Sequence, residues 1–163
     1  DIESSNLDAD YGSMLVAAIK PRGKNPYSKC VDKVGNDKEV VTWLRNELDK
    51  YDIWISFYGK GFDIKFLRTR LAYHGLPDIN KKFHIDMYYV LREAFITSRR
   101  SMAHYASFMR LEEQKFGVPP QTWSEVLANP ALLKTLDERC KSDVRVLSLL
   151  YEKNKHLIRN ITR

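Results

Sequence analysis

Apolar residues in the first third of the chain occur in runs of strand length. Tyr11 to Lys20 predicts a strand, because it contains an uninterrupted apolar run from Met14 to Ile19. The Pro- and Gly-containing stretch 21–26 predicts a turn. Tyr27 to Asp32 predicts a shorter and more polar strand at the edge of a sheet. With the extended Asp1-Ile2-Glu3 ahead of them, these segments predict three successive strands.

The pattern then changes to helical spacing. Asn36 or Asp37 can cap a helix whose apolar positions recur every three or four residues: Val40, Val41, Leu44, Leu48 and Tyr51. Asp52 to Phe57 predicts a short strand covered on both faces, because it carries little polarity. A second helix is predicted from Phe62 to Tyr73, and Gly75 ends it.

The remainder of the chain has mainly helical periodicity. Helices are predicted for Asp86 to Ile96, Met102 to Phe116, Thr122 to Leu127 and about Ala131 to Ile161. Strands followed by alternating helix and strand, and then by helices, predict an α/β fold. We expect a mixed sheet with an antiparallel meander and helical crossovers, in one domain spanning residues 1–163.

Composition narrows the class of protein only a little. The net charge of +6 permits a polyanionic partner, although a basic solvated surface is an equally good interpretation. No apolar run approaches the roughly 18 residues that a membrane span needs, and no signal peptide is visible. Cys30 and Cys140 are too few for a disulfide framework. We therefore expect free thiols in a reducing, intracellular compartment.

Several carboxylates stand at positions that need an explanation. Asp1 and Glu3 project to the same face of an extended strand, where like charges repel each other. Asp63 follows Gly59-Lys60-Gly61 at a strand-to-helix junction, which is where α/β sheets bind ligands. The alternative for Asp63 is an interaction with the helix dipole in the first turn of the helix.

Asp143 is the most informative of these carboxylates. On a helical wheel it falls inside the apolar stripe, between Leu150 and Leu136, and not on the solvated face. A buried carboxylate without a partner is costly, so it requires a base, a hydrogen-bond network or a metal ion. Arg139, one helical turn earlier, is the alternative partner through a local salt bridge.

These pieces together resemble the DEDD superfamily of 3′–5′ exonucleases, which includes the proofreading domains of family B DNA polymerases and stand-alone RNase H-like relatives. The first motif resembles Asp1-Ile2-Glu3-Ser4, the second Tyr58-Gly59-Lys60-Gly61-Phe62-Asp63, and the third Cys140-Lys141-Ser142-Asp143-Val144. The resemblance implies an RNase H-like mixed β-sheet, antiparallel in its first three strands and flanked by helices. In the family the first acidic residue ends the first strand, so we expect the natural chain to extend upstream of Asp1.

The resemblance also implies an activity. Asp1, Glu3, Asp63 and Asp143 would hold two divalent cations, Mg²⁺ or Mn²⁺, which suit hard oxygen ligands. Two such ions stabilise charge on the attacking and leaving oxygens of a phosphodiester. The substrate implied is the single-stranded 3′ end of DNA or RNA.

Two positions depart from the family pattern. Where the family carries Tyr four residues before the last Asp, or His five before it, this chain has Arg139 and Glu138. Tyr58 stands where the second motif usually has Asn, and can orient water, stack on a base or simply pack in the core. The alternatives are therefore a catalytically weakened nucleic-acid-binding module and an RNase H-like endonuclease.

Residues around the motifs supply candidate contacts to nucleic acid. These are Tyr58, Lys60, Phe62 and Arg139. A zone of arginines interleaved with aromatics also suits single-stranded nucleic acid, although most of the aromatics are better explained as core: Arg92, Arg99, Arg100 and Arg110, with Tyr88, Tyr89, His104, Tyr105 and Phe108. Asp86 is expected to cap a helix and not to act as a fifth ligand.

Overall fold

The most apolar strand of the chain lies at the centre of an antiparallel sheet. The structure, a computed structural model, describes residues 1–159. Its first sheet has the order β1 (Ile2–Ser4), β2 (Met14–Ile19), β3 (Tyr27–Cys30). Because β2 is paired along both edges and covered on both faces, its continuous apolar run is buried from Met14 to Ala18. The predicted antiparallel meander is confirmed.

A second, parallel sheet pairs β4 (Ile53–Ser56) with β5 (Phe83–Asp86). The pairing runs from Ile53 opposite Phe83 to Ser56 opposite Asp86. The sequence predicted β4 but not β5, which was interpreted only as the approach to a helix. The alternation of apolar and polar residues from Phe83 to Asp86 is compatible with a strand, but it spans only four residues directly ahead of a helix. The parallel neighbour β4 therefore decides their conformation.

Six helices within residues 1–159 flank the sheets. They are α1 (Lys38–Asp49), α2 (Asp63–Tyr73), α3 (Met87–Ala94), α4 (Met102–Phe108), α5 (Thr122–Glu125) and α6 (Leu133–Asn154). Short 3₁₀ turns, Pro130–Leu132 and Lys155–Leu157, extend α6 at both ends. The predicted helices are confirmed in kind, but most are shorter than predicted, and residues 160 and 161 of the last one lie outside the described part of the chain.

The helix predicted from Met102 to Phe116 is wrong beyond Phe108. Arg110 takes a left-handed conformation with φ of 53°, and the amide of Leu111 donates to the carbonyl of Ala106 at 3.0 Å. This is a Schellman ending, which closes a helix by satisfying its last carbonyls. Residues 111–121 are therefore free to cross toward α6 in an irregular path.

Helix α6 joins the two halves of the core. Its first half contributes Leu136, Cys140 and Val144 to the cluster around β2, α1 and α2. Its second half contributes Val146, Leu147 and Leu150 to the cluster around α3 and α4. The buried stripe predicted for this helix is confirmed, and Asp143 lies in the middle of it.

A groove separates the two sheets. It has a volume of about 350 Å³ and is lined by apolar residues of β2, β4 and α6 together with Asp1, Asp63 and Asp143. The expectation that β4 is covered on both faces is wrong, since Ile53 is 48% exposed and Ile55 borders this groove.

A buried ion cluster ties α1, α2 and the start of β2 together. Asp37 is fully buried and accepts hydrogen bonds from Arg70 Nε at 2.8 Å, Arg70 Nη2 at 2.9 Å and the Met14 amide at 2.8 Å. His74 Nε2 lies 2.6 Å from Asp37 Oδ1, the oxygen that also accepts from Arg70 Nη2. Asp37 occupies the N-cap position of α1, as predicted, but its side chain makes no cap bond. Although burial by itself raises the pKa of Asp37, these donors bring that pKa below its ordinary value.

Replacing Asp37 by Asn should lower the free energy of unfolding by about 3–5 kcal/mol, because Arg70 is left buried without a counter-charge. The difference in the free energy of unfolding between the variant and the wild type should become smaller in acid. A depressed folded pKa stabilises the fold above the unfolded value of about 3.9, and this contribution disappears as the pH falls through the folded pKa. Urea denaturation of both proteins between neutral pH and pH about 3 measures this.

Asp52→Asn is the matched control. Its carboxylate is 98% exposed and 3.9 Å from Lys82, so its removal should leave the urea midpoint unchanged. Equal midpoints for Asp37→Asn and Asp52→Asn would show that the buried cluster contributes nothing.

Candidate metal centre

Three carboxylates from two distant parts of the chain, Asp1, Glu3 and Asp143, lie close together, and two of them, Asp1 and Asp143, line the groove. Strand β1 carries Asp1 and Glu3 to the side of α6 that carries Asp143, and the register of β1 on β2 shifts between Glu3 and Ser4. One ligand oxygen from each of Asp1, Glu3 and Asp143 can be chosen so that all lie within 4.8 Å of one another. The structure thus brings together three of the four residues predicted as ligands.

The fourth predicted ligand, Asp63, lies beside this group but is not part of it. It is the first residue of α2, and its Oδ1 accepts a hydrogen bond from the Ile2 amide at 3.1 Å. That bond attaches the start of α2 to β1 between Asp1 and Glu3. Burial raises the pKa of Asp63 above its ordinary value, even though the positive amino terminus and the Ile2 amide favour the charged form. Asp63 lines the same groove as Asp1 and Asp143.

Asp143 is buried with one oxygen bound and one oxygen free. Its side chain is 2% exposed, and Lys115 Nζ lies 2.6 Å from Oδ2. Oδ1 has no hydrogen-bond partner among the described residues. Burial raises the pKa of Asp143 although Lys115 and Arg139 both oppose the rise. An orphaned, buried carboxylate oxygen requires a ligand that this part of the chain does not provide.

Arg139 pairs mainly with Glu3, and not with Asp143 as the local alternative predicted. Its Nε donates to Glu3 Oε1 at 2.8 Å, whereas its Nη2 is 4.0 Å from Asp143 Oδ2. Trp123 Nε1 donates to Glu3 Oε2 at 2.7 Å, and the Arg139 guanidinium lies 5.0 Å from the centre of the Trp123 ring. Burial still raises the pKa of Glu3 against these donors.

Lys115 and Trp123 are the site residues that the sequence did not reveal. The sequence predicted Lys115 within the helix from Met102 to Phe116, and Trp123 within the helix that follows Pro119-Pro120. The Gly117 and double-proline break just after Lys115 was the available signal for an irregular segment. Nothing in the sequence indicated that this segment would return to β1.

Cys140 is a structural thiol at the edge of the site. Its Sγ lies 3.3 Å from the Asp1 carbonyl oxygen and 3.4 Å from Asp1 Oδ2. Burial raises the pKa of the Cys140 thiol well above its ordinary value, so it stays protonated and donates a hydrogen bond. It does not offer the thiolate that a soft metal ion would bind. Both cysteines are free, as predicted.

The second motif is held in shape by Asp86. Its carboxylate accepts hydrogen bonds from the amides of Tyr58 at 2.7 Å, Lys60 at 2.9 Å and Tyr88 at 3.1 Å. The last of these caps α3, which confirms the predicted N-cap. Gly61 is needed here, because a Cβ atom at that position would run into the Tyr58 ring.

Tyr58 is strained and exposed, and so is not a packed core residue. Its φ of 63° is uncommon for a bulky side chain, and the residue is 45% exposed. Its ring centre lies 4.8 Å from that of Tyr88 and 6.3 Å from that of Tyr89. The Arg92 guanidinium lies 5.3 Å from the Tyr89 ring centre. We call Tyr58, Tyr88, Tyr89 and Arg92 the tyrosine cluster.

Other residues singled out in the sequence have different settings. Tyr105 is fully buried, as expected for core, whereas Phe108 is exposed. Phe62 packs on Phe66 and borders a cleft of about 440 Å³ that also contains Glu3 and Trp123.

Comparison with known proteins identifies the family. The family model described as the RNase_H superfamily matches residues 1–154. The chain belongs to the RNase H superfamily. The match spans β1, α2 and α6, and so includes all four predicted carboxylate ligands.

A solved structure shares the fold of this RNase H superfamily chain. The family B DNA polymerase from the hyperthermophilic archaeon Pyrobaculum calidifontis matches with a TM-score of 0.79 over 94% of this chain, at 19% identity. The match covers 23% of the polymerase, so the chain corresponds to a small part of that protein. No curated protein sequence matches the chain. None of the described helices is both long and apolar enough to cross a membrane.

The donor set fits a hard divalent cation. Carboxylate oxygens of Asp1 and Glu3 lie close to the unpartnered Oδ1 of Asp143. Mg²⁺ and Mn²⁺ prefer such oxygen ligands, and RNase H-like nucleases generally use divalent metals. A cation would also relieve the unfavourable burial of negative charge that the raised pKa values report.

Mn²⁺ should therefore raise the thermal midpoint of the protein. At a concentration about 100 times the dissociation constant, the expected rise is about 5–10 °C, because the ion binds only the folded state. Differential scanning fluorimetry at neutral pH measures the shift, which Asp143→Asn should abolish.

Glu138→Gln controls for the general loss of a negative charge on α6. Glu138 is exposed and pairs with Lys141 at 2.8 Å, so this variant should keep the full metal-dependent rise. A rise that persists in Asp143→Asn would place the bound ion elsewhere.

Proposed function

We propose that this chain is a metal-dependent 3′–5′ exonuclease that hydrolyses DNA or RNA from a single-stranded end. The observation that carries the proposal is the buried, unpartnered Oδ1 of Asp143 beside the carboxylates of Asp1 and Glu3. RNase H superfamily membership supports a nuclease, and the resemblance to DEDD exonucleases supplies the 3′–5′ direction.

The chemistry follows from the ligand set. Divalent ions at such a site stabilise negative charge on the attacking and leaving oxygens of a phosphodiester and help to generate hydroxide. Asp1, Glu3 and Asp143 would bind the ion directly. Asp63, tied to the Ile2 amide, would hold β1 in register and offer a further carboxylate at the groove.

The tyrosine cluster supports the proposal that the substrate is a single-stranded nucleic acid end. Exposed aromatic rings next to an arginine suit unpaired bases and the phosphates between them. Tyr58 precedes Gly59, which lines the groove with Asp63 and Asp143, so a strand lying on the cluster would lead toward the carboxylates. Strain at an exposed aromatic residue is also typical of functional sites.

The second candidate function is a nucleic-acid-binding module with weak or no hydrolysis. Arg139 stands where the family has Tyr, and it is paired with Glu3 at 2.8 Å. A permanently charged guanidinium cannot accept a proton from water, so position 139 provides no general base. This alternative predicts binding of nucleic acid without cleavage.

The activity is tested on 5′-labelled single-stranded DNA and RNA oligonucleotides with Mg²⁺ or Mn²⁺. A 3′–5′ exonuclease shortens them progressively and leaves oligonucleotides with a blocked 3′ end intact. Asp143→Asn and Asp63→Ala should each lower the rate at least about 100-fold, since loss of even an outer-shell partner costs a metal site about 10–100-fold.

Glu138→Gln, on the exposed face of the same helix, should retain the wild-type rate. Cleavage of 3′-blocked oligonucleotides would indicate an endonuclease. If the protein binds the labelled oligonucleotide but does not shorten it, the result would favour the nucleic-acid-binding module.

Tyr58→Ala should weaken binding of single-stranded DNA about 5–100-fold, because one base stack is worth about 1–3 kcal/mol. Fluorescence anisotropy with a labelled oligonucleotide in EDTA measures this without cleavage.

Tyr58→Phe keeps the ring and the backbone strain, and should bind within about twofold of wild type, a change of under about 0.5 kcal/mol. If both variants weaken binding equally, the hydroxyl or the loop conformation is responsible and not stacking.

A further inference from the structure

We propose that the metal centre takes one divalent ion, and that Lys115 and Arg139 stand in the place of a second cation. This inference deepens the proposed function and rests on its metal site. The resemblance to the DEDD family implies two ions, whereas the side chains of this chain already supply two positive charges to the same carboxylates.

The charges of the side chains favour one ion. The carboxylates of Asp1, Glu3, Asp63 and Asp143 carry four negative charges when ionised. Among the side chains, Lys115 and Arg139 neutralise two of these charges, which leaves the charge that one divalent ion carries. The amino terminus beside Asp1 adds further positive charge near Asp63 and Asp143, and so favours a second ion still less. In a buried site, charge left unbalanced in either direction is costly.

The hydrogen bonds of the carboxylate oxygens also favour a single metal ion. Both oxygens of Glu3 accept hydrogen bonds, one from Arg139 and one from Trp123. Lys115 holds Oδ2 of Asp143, so the unpartnered Oδ1 is the oxygen of that residue that remains for a metal. One ion can share the carboxylates of Asp1, Glu3 and Asp143 while these hydrogen bonds persist, whereas a second ion would compete with Lys115 and Arg139 for the oxygens of Asp143 and Glu3.

The two cations are fixed by contacts of their own. Glu113, two residues before Lys115, pairs with Arg145 of α6 at 2.5 Å. The Phe116 amide donates to Ser142 Oγ at 3.3 Å. Arg139 Nη1 donates to the Phe116 carbonyl at 2.9 Å, so the guanidinium is attached both to Glu3 and to the segment that carries Lys115.

These contacts explain why Lys115 and Arg139 would keep their positions when one metal ion binds. Displacing Lys115 requires the segment to leave α6, and displacing Arg139 breaks its bonds to both Glu3 and Phe116. A second divalent ion would also meet two fixed positive charges in a partly buried site, where repulsion is weakly screened. Binding of the first ion at Asp143 Oδ1 requires neither displacement.

The experiment counts Mn²⁺ ions bound per chain by electron paramagnetic resonance of free Mn²⁺ in equilibrium dialysis, at protein concentrations above the dissociation constant. Wild type should bind one ion. Asp143→Asn should bind it at least about 100-fold more weakly, a difference of about 2.8 kcal/mol. The double variant Lys115→Met, Arg139→Met should bind two ions. Lys115→Met alone, which disturbs packing less, should already show a second, weaker ion.

Lys141→Met is the matched control. Lys141 has a similarly buried side chain but pairs with Asp137 and Glu138, away from the cluster, so this variant should still bind one ion. In wild type, amide hydrogen exchange of Phe116 should be unchanged by saturating Mn²⁺, because its bond to Ser142 persists.

Different results separate the failure of this inference from that of the proposed function. Two ions in wild type, or a single ion in both the double variant and Lys115→Met, would overturn the one-ion inference and leave the nuclease proposal standing. Loss of Phe116 protection on Mn²⁺ binding would show that the ion expels Lys115, which also overturns it. If wild type binds no Mn²⁺, the metal site and this inference fall together.

Discussion

The carboxylates of Asp1, Glu3 and Asp143 lie close enough to share an ion, and two of them are almost completely buried. Little water reaches the carboxylates of Glu3 and Asp143 to screen them, so the surrounding structure has to balance their charge. Lys115, Arg139 and the indole N–H of Trp123 all point at this group. The path of residues 111–123 is therefore determined largely by the need to compensate carboxylates carried by β1 and α6.

A second buried carboxylate in the same protein shows what complete compensation looks like. Asp37 receives donors from Arg70, His74 and the Met14 amide, and its pKa falls below the ordinary value. Asp143 pairs with Lys115 through one oxygen, its other oxygen has no partner among residues 1–159, and its pKa rises. The first pattern stabilises the packing of two helices, and the second is typical of functional sites, as the proposed metal centre requires.

Membership of the RNase H superfamily places this site in a nuclease fold, while the details around it are particular to this chain. The Schellman ending at Arg110 stops α4 early, and only because of it can Lys115 reach Asp143. Arg139 stands where the exonuclease pattern that the sequence resembles has tyrosine, and it pairs with Glu3. The scaffold thus combines its carboxylates with fixed cations, which would reduce the charge that a bound metal has to supply.

The sequence by itself determined most of the local elements and the unusual position of Asp143, a carboxylate on the buried face of a helix. The apolar run of β2 and the buried stripe of α6 are periodic signals, and a carboxylate inside such a stripe is visible without coordinates. The motif order further indicated the fold. Only the tertiary structure decided which partner each carboxylate has, that β5 forms, and that Lys115 enters the site. These depend on contacts between residues more than 25 positions apart, such as Lys115 with Asp143 and Glu3 with Arg139, and local propensity holds no information about them.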